Sequence, residues 1–126
     1  MKPRILVVED NPLSRELLCD WLETEGYEVT STADLKSAFA AVRSRQPHAV
    51  LLDIQVGGDD GLALATWIRQ EPAFREIPVI AVTAHAMADE QQRILQGGCN
   101  ACLSKPVDFT ALQKQLQLFL GSPAPS

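Results

Sequence analysis

Acidic side chains follow two short apolar runs of this sequence, at the points where buried strands would end. Residues 5–8 are followed by Glu9 and Asp10, and residues 49–52 are followed by Asp53. Continuous apolar runs of this length are typical of parallel strands buried on both faces, and ligand sites of open α/β sheets lie at the carboxyl ends of such strands. Three carboxylates brought together there would repel one another unless a hard cation lay between them. The pattern therefore predicts a divalent metal beside a reactive carboxylate.

Two further predicted strands end in residues that favour phosphoryl chemistry. Thr83 follows the strand predicted at residues 77–82, and Lys105 with Pro106 follows the strand predicted at residues 101–104. A lysine supplies a point positive charge, and a threonine supplies a hydroxyl donor. These groups suit a phosphoryl group that arrives on Asp53, which would attack in line while Lys105 and the cation stabilise the phosphoryl oxygens.

The elements that must position these residues alternate strand and helix five times. Strands are predicted at residues 5–8, 27–31, 49–53, 77–82 and 101–104, and helices at residues 12–25, 34–45, 62–70, 86–96 and 108–120. Such alternation requires right-handed crossovers and gives a parallel sheet with helices on both faces. The predicted fold class is therefore α/β, a doubly wound five-stranded parallel sheet. We expect one domain at residues 1–120, followed by a short polar tail at residues 121–126.

Apolar stripes on the predicted helices indicate which faces pack on the sheet. Asn11 is expected to cap the first helix, with Pro12 at its first position. The stripes of the first, second and last helices are Leu17, Leu18, Trp21 and Leu22; Leu35, Ala38, Phe39 and Val42; and Phe109, Leu112, Leu116, Phe119 and Leu120. Leu118 falls off the last stripe, so it is either an ordinary exposed leucine or part of a dimer or partner face.

The composition excludes several classes of function. The chain has 126 residues, of which 46% are hydrophobic, and a net charge of −5. This charge argues against general nucleic-acid binding, because no basic stripe is available to neutralise phosphates. No apolar stretch approaches membrane-spanning length and no secretion signal is visible, so we expect a cytoplasmic protein with no membrane contact.

Three cysteines leave redox and zinc chemistry to be considered. Cys99 and Cys102 have the spacing of a redox motif, but they precede a short predicted strand rather than opening a helix, where the thiol pKa would be lowered. A closed zinc site lacks ligands, since there is no second cysteine pair and neither histidine is nearby. We therefore interpret these residues and Cys19 as small buried hydrophobic side chains.

Four short motifs, each after a predicted strand, resemble those of bacterial response-regulator receiver domains, the phospho-acceptor modules of two-component signalling. They are ILVVEDN at residues 5–11, LDIQ at 52–55, VTA at 82–84 and LSKP at 103–106. Each is weak alone, but all four in order are specific, and the resemblance covers nearly the whole chain. It implies a flavodoxin-like (βα)5 fold with strand order 2-1-3-4-5.

The resemblance also implies roles at the acidic end of the site. Asp53 would be the phospho-acceptor. Asp10 would bind Mg²⁺ or Mn²⁺ directly and Glu9 through water, with the backbone carbonyl of Gln55 as a further ligand. The Gln55 side chain would tune dephosphorylation.

Further roles follow for the residues after the last two strands. Thr83 would hydrogen-bond the phosphoryl group and shift when it arrives, and Lys105 would pair with it. The peptide between Lys105 and Pro106 is expected to be cis. Ala84 would leave the acyl phosphate accessible, and His85 would modulate its lifetime.

Two positions depart from the family pattern. An aromatic residue that commonly reports activation lies three residues before the lysine, where this chain has Cys102. Coupling would then run through backbone shifts alone or through a different residue. The proline usual after the acceptor is replaced within residues 56–60, which contain two glycines. We expect a poorly ordered loop there in the unphosphorylated state.

The implied function is that of a phosphorelay receiver, which catalyses its own phosphorylation and dephosphorylation and is not otherwise an enzyme. A histidine kinase or histidine phosphotransfer protein would donate the phosphoryl group, and a downstream protein target would read the face made by residues 86–96, 101–104 and 108–120. A homodimer is a further possibility. The run at residues 82–87 resembles receivers of hybrid kinases, whereas a start at Met1 favours a free-standing regulator.

Three alternatives remain open. A non-phosphorylated docking module could share the fold, and the missing aromatic keeps this alternative. A haloacid-dehalogenase-type hydrolase would need a second Asp where Gln55 stands, a cap and a longer chain. A flavin-binding protein would need a phosphate-cradling loop where Glu9 and Asp10 would repel the phosphate.

Overall fold

Strands and helices alternate along residues 2–121, which are the residues that this computed structural model describes. Of the predicted tail, only Gly121 falls within them, so the domain and tail boundaries stay predictions. In chain order the elements are β1 (Arg4–Val8), α1 (Pro12–Thr24), β2 (Glu28–Thr32), α2 (Leu35–Arg45), β3 (Ala49–Asp53), β4 (Gln55–Val56), β5 (Asp59–Asp60), α3 (Leu62–Gln70), β6 (Val79–Thr83), α4 (Ala88–Gln96), β7 (Ala101–Ser104) and α5 (Phe109–Leu120).

The main sheet has five parallel strands in the order β2-β1-β3-β6-β7. Because β4 and β5 form a separate antiparallel pair, β6 and β7 are the fourth and fifth strands of the predicted sheet. The predicted fold class and the strand order 2-1-3-4-5 are therefore confirmed. None of the described helices is long and apolar enough to cross a membrane.

Alternate side chains of the strands enter two cores, one on each face of the sheet. In β1, Leu6 and Val8 belong to the core shared with α2, α3 and α4, whereas Ile5 and Val7 belong to the core shared with α1 and α5. A strand places successive side chains on opposite faces, so both faces must be covered by helices. This packing explains why the strands are continuous apolar runs.

Polar caps set the starts of three helices. The side chain of Asn11 accepts a hydrogen bond from the Ser14 amide at 3.0 Å, as predicted for a cap of α1. Asp34 and Asp108 were predicted as helical residues, but both have extended backbone and cap α2 and α5 instead. The helix predicted from residue 86 begins at Ala88. These corrections are small because a cap residue is only half inside its helix.

The predicted stripe of α1 contains one error. Leu18 and Leu22 are buried, but the Leu17 side chain is 54% exposed. Successive helical residues are turned by about 100°, so a stripe aimed at the sheet through Leu18 carries Leu17 towards solvent. Leu118 lies off the α5 stripe as predicted and is also exposed.

Residues 55–60 form a hairpin, so the prediction of a poorly ordered loop is wrong. Strand β4 pairs with β5 through a turn in which Gly57 and Gly58 have φ angles of 58° and 82°. Positive φ at both central residues is the geometry of a type I′ turn, which matches the twist of a hairpin and favours glycine. The two glycines therefore make a tight turn rather than a mobile segment.

Gly61 lets the chain return from this hairpin directly against the end of β3. A side chain at position 61 would collide with the backbone oxygens of Asp53 and Ile54. The absence of a Cβ atom is therefore what allows α3 to start so close to the acidic end of β3.

Candidate functional site

The predicted site residues meet at the carboxyl edge of the sheet. Asp53 ends β3 and Thr83 ends β6, while Glu9 and Asp10 follow β1 and Lys105 follows β7. All five line one cleft of about 280 Å³, together with Asn11, Gln55 and Ala84. The parallel sheet brings these strand ends together although they are separated by up to 96 residues of chain.

A lysine lies between two buried carboxylates at the floor of the cleft. The Lys105 Nζ atom is 3.0 Å from Asp53 Oδ2 and 3.0 Å from Glu9 Oε1. Burial lowers the pKa of Lys105, but the hydrogen bonds to Asp53 and Glu9 outweigh it and leave the pKa raised. The ammonium therefore stays charged beside the carboxylate that it contacts.

Glu9 and Asp10 occupy contrasting environments although they are adjacent. Glu9 is buried, and burial together with the neighbouring Asp53 carboxyl raises its pKa, although its Oε2 atom accepts a hydrogen bond from the Asn11 amide at 3.1 Å. Asp10 is exposed, and its pKa is lowered mainly by the hydrogen bond that its Oδ2 atom accepts from the Gly57 amide at 3.1 Å. Asp10 is thus held as a carboxylate at the mouth of the cleft.

The three carboxyl groups fit a small hard cation. Glu9, Asp10 and Asp53 each offer an oxygen, and these oxygens lie within 4.8 Å of one another. Such a set suits Mg²⁺, which binds a few carboxylates and keeps several water ligands. The backbone amide of Gln55 donates to Asp53 Oδ1 at 3.1 Å, and its side chain is exposed. The assignment of the Gln55 carbonyl as a ligand stays a prediction.

Thr83 is buried and lines the same cleft. Its hydroxyl accepts a hydrogen bond from the His85 amide at 3.0 Å, and its carbonyl accepts one from the Lys105 amide at 2.8 Å. Ala84 and His85 are exposed, and Ala84 lines the cleft. The Lys105–Pro106 peptide is cis, which is the geometry that the resemblance implied.

The cysteines lie outside this cleft. Cys99 is buried, which raises the pKa of its thiol to about 12, whereas Cys19 and Cys102 are half-buried with thiol pKa values also raised, mainly by burial. All three thiols are free. Raised values leave little thiolate at neutral pH, so these side chains are poor nucleophiles. Cys102 packs against the core under α4.

Sequence reasoning missed two arginines next to the site. Arg15 Nη1 donates to the Glu9 carbonyl at 3.0 Å and so fixes the chain between β1 and α1. Arg93 of α4 lies with Nη1 2.9 Å from Asp60 Oδ2 and with Nη2 2.6 Å from Glu90 Oε1. The spacing of Glu90 and Arg93 was readable as a helical i,i+3 pair. No signal in the sequence connects Arg93 to Asp60, since the contact depends on the unpredicted hairpin.

Comparison with known proteins finds similarity over almost the full length. The family model of the response regulator receiver domain matches residues 5–117. The polar-differentiation response regulator DivK of Brucella anthropi is 38% identical over 121 residues, which are 96% of this chain and 98% of that protein.

Solved structures agree with this similarity. The receiver domain of a sensor histidine kinase from Pseudomonas aeruginosa PAO1, which has a magnesium ion coordinated in its active-site cleft, superimposes with a TM-score of 0.87. It is 34% identical, and the match covers 97% of this chain and 100% of that chain. A response regulator structure from Chloroflexus aurantiacus gives a TM-score of 0.89 at 27% identity, covering 95% of this chain and 98% of that one.

Proposed function

The chain belongs to the family of response regulator receiver domains, and we propose that it is a phospho-acceptor whose Asp53 takes a phosphoryl group from a histidine-phosphorylated partner. The observation that carries the proposal is the position of Lys105, which contacts Asp53 at 3.0 Å beside a cluster of three carboxylates. Burying charges in this way costs free energy, and phosphoryl transfer to Asp53 is a reaction that uses the charge of Lys105. The geometry therefore favours phosphoryl transfer over the docking alternative.

Asp53 is held in a state suited to nucleophilic attack. Its Oδ1 atom accepts from the Gln55 amide and its Oδ2 atom accepts from Lys105, so the carboxylate is fixed by two donors from different elements. A carboxylate oxygen would attack the phosphorus of the donor, forming an O–P bond while the N–P bond to the donor histidine breaks and its electron pair returns to the imidazole. The product is an aspartyl phosphate, and the catalytic groups belong to the receiver itself.

Glu9, Asp10 and Asp53 would hold Mg²⁺ in this reaction, with the Gln55 carbonyl as a further ligand. When bound, the cation neutralises charge on the phosphoryl oxygens and on the crowded carboxylates. Lys105 would contribute a second positive charge, since its Nζ atom lies 3.0 Å from Asp53 Oδ2. It would transfer its contact from the free carboxylate to a phosphoryl oxygen, so its interaction strengthens as the charge moves.

Phosphorylation would change the surface through Thr83. A phosphoryl group adds about −1.5 to −2 charges and three acceptor oxygens. The Thr83 hydroxyl, which accepts from the His85 amide, would gain an acceptor for its own O–H, and turning towards that acceptor would strain the contact with His85. Residues 84–87 connect Thr83 directly to α4, where Ile94 is the buried residue, whereas α2 and α3 each bury three. We therefore place the signal on the face formed by α4, β7 and α5, which a downstream protein would read.

The phosphodonor would dock beside α1. Leu13 and Leu17 are exposed on this helix, and Leu17 lines a groove with Pro106, Val107 and Phe109 that also contains Glu9 and Lys105. A protein that delivers a phosphoryl group to Asp53 must contact the rim of the cleft. An apolar groove continuous with that rim suits a helix of a histidine kinase or a histidine phosphotransfer protein.

Intact mass measurement after incubation with Mg²⁺ and acetyl phosphate tests this function. Wild type should gain one phosphoryl group, and Asp53→Asn should gain none. Asp20→Asn, which changes an exposed acid on α1, serves as the matched control and should behave as wild type. Removal of Mg²⁺ with a chelator should abolish the gain. Equal phosphorylation of Asp53→Asn, or no phosphorylation of wild type by either acetyl phosphate or a phosphorylated histidine kinase, would contradict the proposal.

A further inference from the structure

The β4–β5 hairpin (residues 55–60) is attached at two points to other parts of the molecule. At its turn, the Gly57 amide donates to Asp10 Oδ2 at 3.1 Å. At its return strand, Asp60 Oδ2 pairs with Arg93 Nη1 at 2.9 Å, while Asp60 Oδ1 accepts from the Leu62 amide at 3.0 Å. The hairpin therefore connects a carboxylate of the cleft to helix α4.

Arg93 is a well-oriented anchor for this connection. Its guanidinium also contacts Glu90 through Nη2 at 2.6 Å and through Nε at 3.4 Å, so it is held from its own helix. Arg93 lies in the last turn of α4, and the Gly97 carbonyl after that turn accepts from Thr66 Oγ1 at 2.8 Å. The end of α4 that carries Arg93 is thus also hydrogen-bonded to α3, so the hairpin is tied to α4 close to the contact between α4 and α3.

We infer that Arg93 is a positioning residue for the metal site: through Asp60 and the hairpin it holds the Asp10 carboxylate and the Gln55 backbone in the arrangement that binds a divalent cation. The inference rests on the metal site of the proposed function. The Gly57 amide limits the positions that the Asp10 carboxylate can take, and ligand groups held in place before binding lose less freedom on binding.

The connection also links the metal site to the signalling face. Coupling between two sites is reciprocal in free energy, so a cation or phosphoryl group that alters the hairpin alters the Arg93 contact, and a partner that moves α4 alters cation affinity. This path does not pass through position 102. It is therefore a route of coupling that needs no aromatic residue there.

The charge of Arg93 and its positioning role predict opposite effects of its removal on cation affinity. A positive side chain near the cleft repels a cation, so its removal by Arg93→Gln would tighten Mg²⁺ binding if charge alone mattered. If Arg93 acts by holding the hairpin, the same change weakens binding because Asp10 and Gln55 lose their fixed geometry. The sign of the change therefore separates the two explanations.

Titration calorimetry with Mg²⁺ on the full chain measures this sign. We expect Arg93→Gln to raise the Kd about two- to fivefold, the range of an exposed ion pair. Arg75→Gln, which removes an exposed arginine outside the hairpin contacts, should leave it unchanged. Hydrogen exchange of the Gly57 amide, which donates to Asp10, gives a second readout in metal-free protein and should be faster in Arg93→Gln than in wild type or Arg75→Gln.

The double variant Asp60→Asn with Arg93→Gln adds a test of the path. Its loss of affinity should be smaller than the sum of the two single losses, because both changes break one contact. An unchanged or tighter Mg²⁺ affinity in Arg93→Gln would overturn the inference while leaving the proposed function in place. A wild type that binds no Mg²⁺ would instead overturn the metal site itself, and the inference with it.

Discussion

Two clusters near the carboxyl edge of the sheet each place one cation between two carboxylates: Lys105 between Glu9 and Asp53, and Arg93 between Asp60 and Glu90. In the first cluster the acid side chains are 3% and 7% exposed, and in the second they are 56% and 28% exposed. The distances are 3.0 Å in the first cluster and 2.6 Å to 2.9 Å in the second. The largest difference between the clusters is therefore the burial of their acids.

Because only Glu9 is buried, the pKa values of the two glutamates are shifted in opposite directions. The pKa of Glu9 is raised, mainly because burial penalises its charge, although a lysine lies 3.0 Å away. The pKa of Glu90 is lowered, mainly by its hydrogen bond to Arg93. A buried ion cluster of this kind costs stability and persists where chemistry needs it, whereas an exposed ion pair adds a small adjustable contact. In the proposed function the first cluster carries the reaction, and in our further inference the second couples the hairpin to α4.

Replacing the cationic side chain of each cluster, Lys105 or Arg93, should show the largest difference between the two clusters. We expect Lys105→Ala to slow phosphorylation by acetyl phosphate about 100-fold or more, since a charged group that stabilises the phosphoryl oxygens is lost. The same change should lower the free energy of unfolding by about 1 to 3 kcal/mol, because two buried carboxylates then face each other without a cation. Arg93→Ala should stay within about fivefold of wild type in rate.

Initial rates from intact mass and urea unfolding curves check this prediction. Lys114→Ala, which removes an exposed lysine of α5, is the matched control and should match wild type in both. A Lys105→Ala rate close to that of Arg93→Ala would remove the distinction between the clusters.

Metal addition should act on the first cluster with the next largest effect. Because a ligand stabilises the state that binds it, each tenfold rise of free Mg²⁺ above the Kd should raise the free energy of unfolding of wild type by about 1.4 kcal/mol. Asp10→Asn should show no such rise, whereas Asp59→Asn, which changes an exposed acid of the hairpin, should retain it. Thermal unfolding across a Mg²⁺ series measures the effect, and a parallel rise in Asp10→Asn would exclude this carboxylate as a ligand.

The two glutamates should respond to pH with opposite signs in metal-free protein. Both have an unperturbed pKa of 4.5. Below that value, protonated Glu9 makes its full contribution to the free energy of unfolding. This contribution is lost as the pH rises through the higher pKa of Glu9 in the folded protein. Glu9→Gln should therefore be more stable than wild type at about pH 7 and similar to it at about pH 4. Ionised Glu90 adds to the free energy of unfolding above its unperturbed pKa. This contribution is lost as the pH falls through the lower pKa of Glu90 in the folded protein, so Glu90→Gln should be less stable than wild type at about pH 7.

Urea unfolding of both variants at the two pH values, in the presence of a chelator, tests this pair of signs. Destabilisation of Glu9→Gln at neutral pH would mean that the contact with Lys105 outweighs burial, and the contrast between the clusters would then disappear.

Salt should distinguish the clusters by the smallest effect. Raising the salt from about 0.1 M to about 1 M shortens the screening length from about 10 Å to about 3 Å, which weakens the exposed Arg93–Asp60 pair. Exchange of the Gly57 amide in wild type should then approach that in Arg93→Gln, while the slow phosphorylation of Lys105→Ala persists. Hydrogen exchange at both salt concentrations measures this, and salt-independent protection of the turn would argue against the ion pair as its source.

The first cluster was predictable from the sequence and the second was not. Strand ends converge by topology alone, so apolar runs ending in Glu9, Asp10, Asp53 and Lys105 were enough to predict a shared site. The Arg93–Asp60 contact depends on the β4–β5 hairpin, which has two-residue strands that carry almost no periodicity. Its glycines were interpreted as mobile, because their use in a type I′ turn depends on pairing that the composition does not reveal.

Side-chain orientation was predicted less well than element type. Leu17 was assigned to the packed stripe of α1 because apolar residues at positions 17 and 18 cannot be distinguished by periodicity when both are leucine. Asp34 and Asp108 were assigned to helices although they cap them, since a short polar side chain before an apolar stripe fits either position.

The most direct test of the central claim is to locate the modified residue after phosphorylation with acetyl phosphate and Mg²⁺. Borohydride reduces an aspartyl phosphate to homoserine, so peptide sequencing by tandem mass spectrometry identifies the acceptor. Homoserine at position 53 alone, absent when Mg²⁺ is chelated, is the predicted result. Homoserine at Asp10, Asp59 or Asp60 instead, or at several of these positions equally, would contradict the assignment of Asp53 as the phospho-acceptor.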